Sequence, residues 1–364
     1  MPRIAGGGIA RDSRLIAVRA GGSNVAEFFS NFWVQLGLKL LIAAGIIPVV
    51  GMLIGFAEMK LSAKMQRRMG PYFAGGRWGW AQLIADGVKF FQKEDLIPAD
   101  ADRPVFKWAP VLVLVSTVAI LVPIPLGPDL VGRNLDLGVF YALAVSSIST
   151  IGVLMAGWSS ANKYSLIGGL RAAGQLIAYE LPLVLAVVGV VMLAGTMSLT
   201  GIVEAQASWL SERGWTLGLP FVLVQFIGFG VFIIASLAEL ARTPFDMPFA
   251  ESELVFGYVT EYSGFRFLFF FLAEFANMFS LAAIAATLFL GGYWLPGVPE
   301  STLNFLGPVV LFGKIGVLVF AMIWFRWTFP RFREDQLQSL AWKWLIPISL
   351  ANILATGVLK VVAQ

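Results

Sequence analysis

Eight apolar stretches follow one another along the chain, each close to the ~20 residues that a helix needs to cross a bilayer. Because lipid offers no partners to backbone polar groups, such stretches cross as helices. Hydrophobic residues make up 58% of the chain and the mean hydropathy is +0.80, far above soluble-domain usage. The sequence therefore predicts an all-α integral membrane protein with eight transmembrane helices and amphipathic helices in its cytoplasmic loops. The predicted spans are 33–57, 106–126, 136–157, 176–196, 218–238, 267–291, 308–326 and 341–360.

Charge in the loops predicts the orientation of these spans. The loops 58–107, 158–175, 239–266 and 327–343 carry sixteen Lys and Arg residues, whereas the opposite loops carry only Arg133 and Arg213. The positive-inside rule then predicts that the basic loops are cytoplasmic and that both termini lie outside. Residues 1–30, rich in Gly, Arg and Ser, are predicted to be a flexible tail that precedes a single membrane domain, 31–364. The four arginines of that tail oppose this orientation.

The chain contains neither cysteine nor histidine. This composition excludes disulfides, iron–sulfur ligation by thiolates and His-based haem or zinc sites on this chain. We therefore expect no metal here and expect any redox cofactor to belong to a partner. Proton chemistry would have to use carboxylates, Lys, Tyr or water.

Two loops carry an unusual density of charge. In 58–107, "LSAKMQRRM" and "WGWAQLIADGVKFFQK" alternate apolar and polar residues, as helices at the headgroup level do. Such segments either anchor the first span or form a docking surface for soluble partners. The loop 239–266 is acidic, with five carboxylates and one base between Glu239 and Tyr262.

Acidic residues also interrupt the apolar stretches. Glu180 and Glu274 lie within them, and Glu239 closes the fifth. An ionised acid at membrane depth costs at least ~2.5 kcal/mol, so it pairs, faces water or keeps its proton. Crowded and buried carboxylates have pKa values raised towards neutral, which suits proton transfer. We expect a proton path whose mouth and interior use these acids: Asp246, Glu251, Glu253, Glu261, Glu239, Glu180 and Glu274. Structural hydrogen bonds between helices, or an acidic surface for a basic partner, are the simpler alternatives.

Arg242 is the only base between Glu239 and Tyr262. It follows Glu239 by three residues, so an ion pair between the two is the simplest interpretation if the helix continues.

Five segments together resemble the H subunits of proton-pumping NADH:quinone oxidoreductase, respiratory complex I, which lie in the membrane next to the quinone site. They are "QRRMGP" (66–71), "LIADGVKFFQKED" (83–95), the segment 155–181, the acidic stretch 239–262 and "REDQL" (333–337). The resemblance covers roughly residues 35–360. It implies a non-redox component of the bacterial inner membrane, assembled with other membrane subunits and with soluble subunits that carry the flavin and iron–sulfur clusters. Quinone would be the substrate, no cofactor would be bound by this chain alone, and no nucleic acid would be involved.

The resemblance also implies residues for the quinone cavity, which are Glu58, Gln66, Arg68, Asp86, Arg242 and Phe245. The chain departs from common family patterns at Met59, Ser147 and Phe249, where relatives often carry a charge. Two alternative functions fit the same composition. One is the equivalent component of a membrane-bound hydrogenase or formate hydrogenlyase, and the other is a free-standing proton-coupled transporter.

Overall fold

The computed structural model describes residues 32–208, 218–298 and 300–363, and within these ranges it contains helices but no β-strand. A single bridge joins Pro125 and Val131. A π-helical turn, Ala341–Leu345, connects the last two helices. The helices are α1 (Phe32–Met65), α2 (Gln82–Gln92), α3 (Arg103–Ile120), α4 (Gly138–Ser159), α5 (Lys163–Ala194), α6 (Leu199–Ser208), α7 (Phe226–Glu239), α8 (Glu251–Leu254), α9 (Gly264–Phe289), α10 (Glu300–Thr328), α11 (Glu334–Leu340) and α12 (Ile346–Ala363).

Six segments of the described chain are long and apolar enough to cross a membrane. They correspond to the predicted second, third, fourth, sixth, seventh and eighth spans, so the all-α membrane class is confirmed. The first predicted span lies within α1, and the fifth overlaps α7, an apolar helix of only 14 residues. Neither belongs to the six, and the count of eight spans stays a prediction. The six are Arg103–Ile120, Gly138–Ser159, Lys163–Ala194, Gly264–Phe289, Thr302–Thr328 and Glu334–Val362.

The chain divides into two compact units, Met1–Ile46 and Ile47–Gln364, with the boundary inside α1. The predicted tail, residues 1–30, lies outside the described residues. The second unit contains the helices and connections that build the candidate functional site.

The predicted loop 158–175 is largely helical, which corrects the boundaries expected from hydropathy. Only residues 160–162 separate α4 from α5. Asn162 caps α5 by accepting a hydrogen bond from the backbone N–H of Tyr164, as side chains at helix N-termini do. The two helices touch at glycines: a Cβ on Gly157 would come within 2.9 Å of the Gly169 Cα. Small residues thus allow close packing where hydropathy alone predicted a connector.

Hydrogen bonds between connecting segments define two ends of the second unit. At the end that we call the basic end, the Asp102 N–H donates to the Ser159 carbonyl, and Ser263 donates to the Glu94 carbonyl. At the far end, the Val139 N–H donates to the Met197 carbonyl. The Phe332 N–H likewise donates to the Pro244 carbonyl at the basic end, so the four connections that the positive-inside rule groups together meet at one end of the bundle.

Helix α9 lies at the centre of this arrangement. It contacts α2, α3, α5, α6, α7 and α10. In the most apolar part of α9, 61% of the residues are buried inside the protein. The corresponding fraction for the span Glu334–Val362 is 22%. Its C-terminal half is built largely from alanine and leucine, whereas its N-terminal half carries phenylalanines and Glu274. That aromatic half forms the candidate site.

Candidate functional site

Four charged side chains from four helical regions form what we call the inner network: Glu58, Arg242, Glu274 and Arg326. Arg242 Nη1 donates to Glu58 Oε2 over 2.7 Å, and its Nη2 lies 2.9 Å from Glu274 Oε1. Arg326 forms a second ion pair with Glu58. The Arg242 side chain is only 1% exposed and that of Glu58 is 9% exposed. Two guanidinium groups thus balance two carboxylates in a largely buried position, where unpaired charges would be costly.

The simple expectation that Arg242 pairs with Glu239 is wrong. Helix α7 ends at Glu239, and Ala241 then adopts a left-handed conformation with φ 49°. This turn redirects the chain, so Arg242 leaves the helical face of Glu239 and reaches Glu58 on α1 and Glu274 on α9. The Phe275 ring lies 5.0 Å from the guanidinium and adds a cation–π contact.

A cavity of about 170 Å³, which we call the aromatic cavity, opens beside the inner network. Arg242, Arg326, Asp246 and Glu274 provide its charged groups. Its apolar wall comes from the N-terminal half of α9 and from the segment between α8 and α9, through Phe249, Phe256, Phe267, Phe270, Phe271 and Phe275. Rings around a few convergent charges are typical of a site for a flat apolar ligand with a polar head.

A smaller cavity of about 60 Å³, the acidic cavity, lies next to it. Glu239 and Glu274 both line it, and Glu274 also lines the aromatic cavity. Gln175 Oε1 and Asn277 Oδ1 are buried without a hydrogen-bond partner, and both residues line the acidic cavity. A cavity of this volume that contains unpaired polar atoms has room for a few waters. The two cavities therefore share Glu274 together with Phe249 and Phe270. They differ in their other charged groups, because Glu239 lines the acidic cavity and the two arginines line the aromatic cavity.

Tyr258 lines both cavities. Burial, followed by the charges of Glu274 and Asp246, raises the pKa of its phenol beyond the usual range. Because the phenol stays protonated, it can donate a hydrogen bond to the carboxylate of Glu274 or of Asp246.

Glu180, on α5, is half-buried and accepts a hydrogen bond from Ser147 on α4. Its charge also acts on Glu239. Ser147, where the chain departs from the family pattern, therefore contacts the Glu180 carboxylate directly. Of the three acids of the apolar stretches, Glu274 lines both cavities, Glu239 lines the acidic cavity, and Glu180 lies close enough for its charge to act on Glu239.

Three of the acids predicted at the mouth of the path have side chains that the structure describes, and of these Asp246 alone lines the aromatic cavity. Glu253 belongs to a second cluster at the basic end, the outer network, with Arg171, Arg331 and Glu334. Arg171 donates to Glu253 over 2.8 Å and lies 3.4 Å from Glu334, while Arg331 lies 3.5 Å from Glu253. The hydrogen bond from Arg171 holds the pKa of Glu253 below its usual range.

Glu261 accepts a hydrogen bond from Asn162 and lines a separate, more open cavity. The backbone of Glu251 begins α8, but its side chain lies outside what the structure describes. The described acids at the predicted mouth of the proton path, Asp246, Glu253 and Glu261, thus lie in three different surroundings.

Several residues expected at the quinone cavity lie away from the inner network. Gln66 and Arg68 are exposed beyond the end of α1 and hydrogen-bond to each other. Asp86 contacts Gln82 and Lys89 on α2, a helix with no buried residues. Phe245 is buried against the rings of Tyr179 and Phe332 and does not line the aromatic cavity.

Sequence reasoning misses Arg326 and Tyr258. Arg326 is the last residue of the predicted span 308–326, so hydropathy alone indicates only that the span ends there. It does not predict that the side chain pairs with Glu58. Tyr258 has no distinguishing pattern in the sequence. Within residues 32–208, 218–298 and 300–363, no group of three or more acidic side chains could hold a metal ion.

The family model of NADH dehydrogenase matches residues 38–357. The chain belongs to the NADH dehydrogenase family. Family members with high similarity are the H subunits of the NADH-quinone oxidoreductases of Bacillus cereus (strain B4264) and Bacillus thuringiensis (strain Al Hakam). Each is 47% identical over 333 residues, which cover 91% of this chain and 96% of the relative. Membership places the chain among the membrane subunits of NADH-quinone oxidoreductases, and the inner network and both cavities lie within the matched range.

Proposed function

We propose that this chain forms part of the quinone cavity of a complex I-type NADH:quinone oxidoreductase and couples quinone reduction to proton translocation. The observation that carries this proposal is that Glu274 lines both the aromatic and the acidic cavity. A carboxylate shared in this way can sense charge at a ligand and pass the effect on to further acids.

The aromatic cavity supplies the quinone end. Its phenyl rings suit the apolar body of a quinone, and the guanidinium groups of Arg242 and Arg326 can hydrogen-bond its oxygens. The electrons come from iron–sulfur clusters and flavin of partner subunits. In the loop 58–107, Gln66 and Arg68 are exposed and Asp86 is half-buried, which suits contact with those soluble subunits and with a quinone held between chains. Phe245 supports the cavity from the core behind it.

The acidic cavity supplies the start of the proton path. Water in it would connect Glu274 with Glu239, and Glu239 in turn interacts with Glu180. Asp246 lies at the entrance beside Arg242, and Glu251 and Glu261 add negative charge at the basic end. Glu253 keeps its charge because it is paired with Arg171, so it serves here as a fixed charge.

The membrane arrangement in this proposal has eight spans, with α1 and α7 added to the six described segments, and a flexible tail before residue 31. The basic end faces the cytoplasm of a bacterium and both termini lie outside, because the basic loops meet at that end. The other partners are the neighbouring membrane subunits and the bilayer.

Replacing Arg242 tests the quinone end. We expect Arg242→Ala to reduce quinone reductase activity strongly while electron transfer from the donor to an artificial soluble acceptor continues, because the redox centres lie in partner subunits. The matched control is Arg171→Ala, which removes a guanidinium of the outer network and should leave quinone reduction almost unchanged. If both activities fall together in Arg242→Ala, the residue serves assembly and the cavity role is wrong.

Replacing Glu180 tests coupling. Glutamine keeps the shape and hydrogen-bonding capacity of glutamate but does not titrate near neutral pH. We expect Glu180→Gln to assemble normally on native gels yet to lose most quinone-dependent turnover and proton uptake in proteoliposomes, since tight coupling lets neither run alone. Near-normal proton uptake in both Glu180→Gln and Glu239→Gln would show that these acids serve only as structural hydrogen-bonding groups.

A further inference from the structure

Lys314 is an ionisable residue near the middle of an apolar span, and the proposed function does not use it. It lies on α10 within the candidate span Thr302–Thr328, ~18 Å along the helix from Thr302 at ~1.5 Å per residue. Among the ion pairs of the described residues, Lys314 takes part in none. A charged group at this depth requires partners of another kind.

Its partners are three backbone carbonyls that follow the end of α9. The Lys314 ammonium donates to the carbonyl oxygens of Leu290, Gly292 and Trp294 over 2.7, 2.8 and 2.6 Å. An ammonium group has three N–H donors, so each donor has one carbonyl. The arrangement is a cradle of oxygen atoms around a single positive charge.

The glycines after α9 build this cradle. Gly291 and Gly292 have φ values of 79° and 52°, a conformation that other residues rarely adopt. A Cβ on Gly292 would also approach Val203 to 2.8 Å. The turn lets the Gly292 N–H return to the Ala286 carbonyl and points later carbonyls towards α10. Carbonyls left unpaired at the end of a helix attract cations.

The cradle follows the last residue of α9, where the carbonyls of the final helical turn have no partner further along the helix. The Lys314 ammonium therefore supplies hydrogen-bond donors to backbone oxygens at the end of α9.

We propose that the carbonyls of Leu290, Gly292 and Trp294 form a binding site for a monovalent cation with N–H donors, and that Lys314 fills it as a tethered occupant. The proposal does not depend on quinone chemistry, because it concerns only how the end of α9 is held. It makes Lys314 a positioning residue for α9, the helix that carries Glu274 at its other half.

Chemical rescue tests this site in the purified assembly. Lys314→Ala removes the ammonium and leaves space beside the cradle, so we expect the apparent Tm to fall by several degrees. Millimolar methylammonium should restore at least half of that loss. Tetramethylammonium, which has the same charge but no N–H donor, should restore nothing. Lys314→Met fills the space with an apolar chain and should lose stability without rescue.

Two further variants keep the test decisive. Lys343→Ala removes an exposed lysine and should change neither the Tm nor its response to methylammonium. If Lys314→Ala does not assemble, Lys314→Arg should still assemble because it retains a cation with donors, whereas Lys314→Met should not. Equal rescue by both ammonium ions, no rescue by methylammonium in an assembled Lys314→Ala complex, or wild-type stability of Lys314→Met would each overturn the proposal.

Discussion

The inner and outer networks have the same composition and different surroundings. Each joins two arginines to two glutamates through three ion pairs. In the inner network the side chains of Arg242 and Glu58 are 1% and 9% exposed, whereas in the outer network Glu253 and Glu334 are 51% and 55% exposed. The arginines do not follow the same division, since Arg326 is 38% exposed and Arg171 is 24% exposed. The networks therefore differ mainly in the burial of Arg242 and of the carboxylates.

Burial makes the inner charges depend on one another. Removing one member of a buried pair leaves its partner uncompensated, which costs about 3–5 kcal/mol, whereas an exposed pair contributes about 0–1 kcal/mol. Any event that changes charge beside Arg242 must therefore shift the balance between Glu58 and Glu274. The outer network, screened by water, holds segments together without transmitting such a change. This difference is the reason why the proposed coupling uses the inner network.

Removing Glu58 should have the largest effect on stability. Glu58→Ala leaves Arg242 and Arg326 without the carboxylate that joins them, so we expect a loss of about 3–5 kcal/mol in unfolding free energy. The measurement is thermal unfolding of the detergent-purified assembly. Glu334→Ala, the matched deletion in the outer network, should change it by about 0–1 kcal/mol. Similar Tm shifts in the two variants would show that burial does not separate the networks.

The sequence predicts the spans and the half-buried acids within them better than it predicts contacts. Glu180, Glu239 and Glu274 can be identified because each interrupts or closes an apolar stretch, where a charge is costly. The partner of Arg242 cannot be identified, since Glu58 is 184 residues away and no local pattern joins them. Pro244 does carry a usable signal, because the residues before a proline seldom continue a helix. That signal predicts the end of α7 and argues against pairing between Arg242 and Glu239.

Hydropathy also fails where small residues replace bulky ones. It predicts a loop over 158–175 because that segment contains Ser, Gly and two bases. The glycines and alanines there instead allow α4 and α5 to pack closely. Hydropathy also does not predict how exposed the side chains of Glu253 and Asp86 are. Their exposure depends on how the loops fold over the basic end.

Neutralising Glu274 should have an intermediate effect on stability. Its side chain is 26% exposed, and Arg242 is its ion-pair partner among the described residues. Because Arg242 keeps Glu58, we expect Glu274→Gln to cost about 1.5–3 kcal/mol, the range for hydrogen bonds to charged groups. Quinone reduction should fall as well, since the shared carboxylate no longer titrates. Glu261→Gln, which alters an acid outside both cavities, is the control, and equal losses in the two variants would contradict the special place of Glu274.

The smallest effect is expected from Glu253→Gln in the outer network. The exposed pair with Arg171 should contribute about 0–1 kcal/mol at low salt and less at about 1 M ionic strength, where the screening length is about 3 Å. The pKa of Glu253 is lowered in the folded protein, so the pair stabilises above the ordinary carboxylate pKa, and that contribution is lost as pH falls through the folded value. The Tm difference between wild type and Glu253→Gln should therefore be small at neutral pH, shrink further in high salt, and vanish in acid. Glu58→Ala should keep most of its Tm difference in high salt, because its pair with the buried Arg242 is poorly screened. A Tm difference for Glu253→Gln that persists in both salt and acid would mean that this carboxylate is held as firmly as Glu58, and the contrast between the two networks would fail.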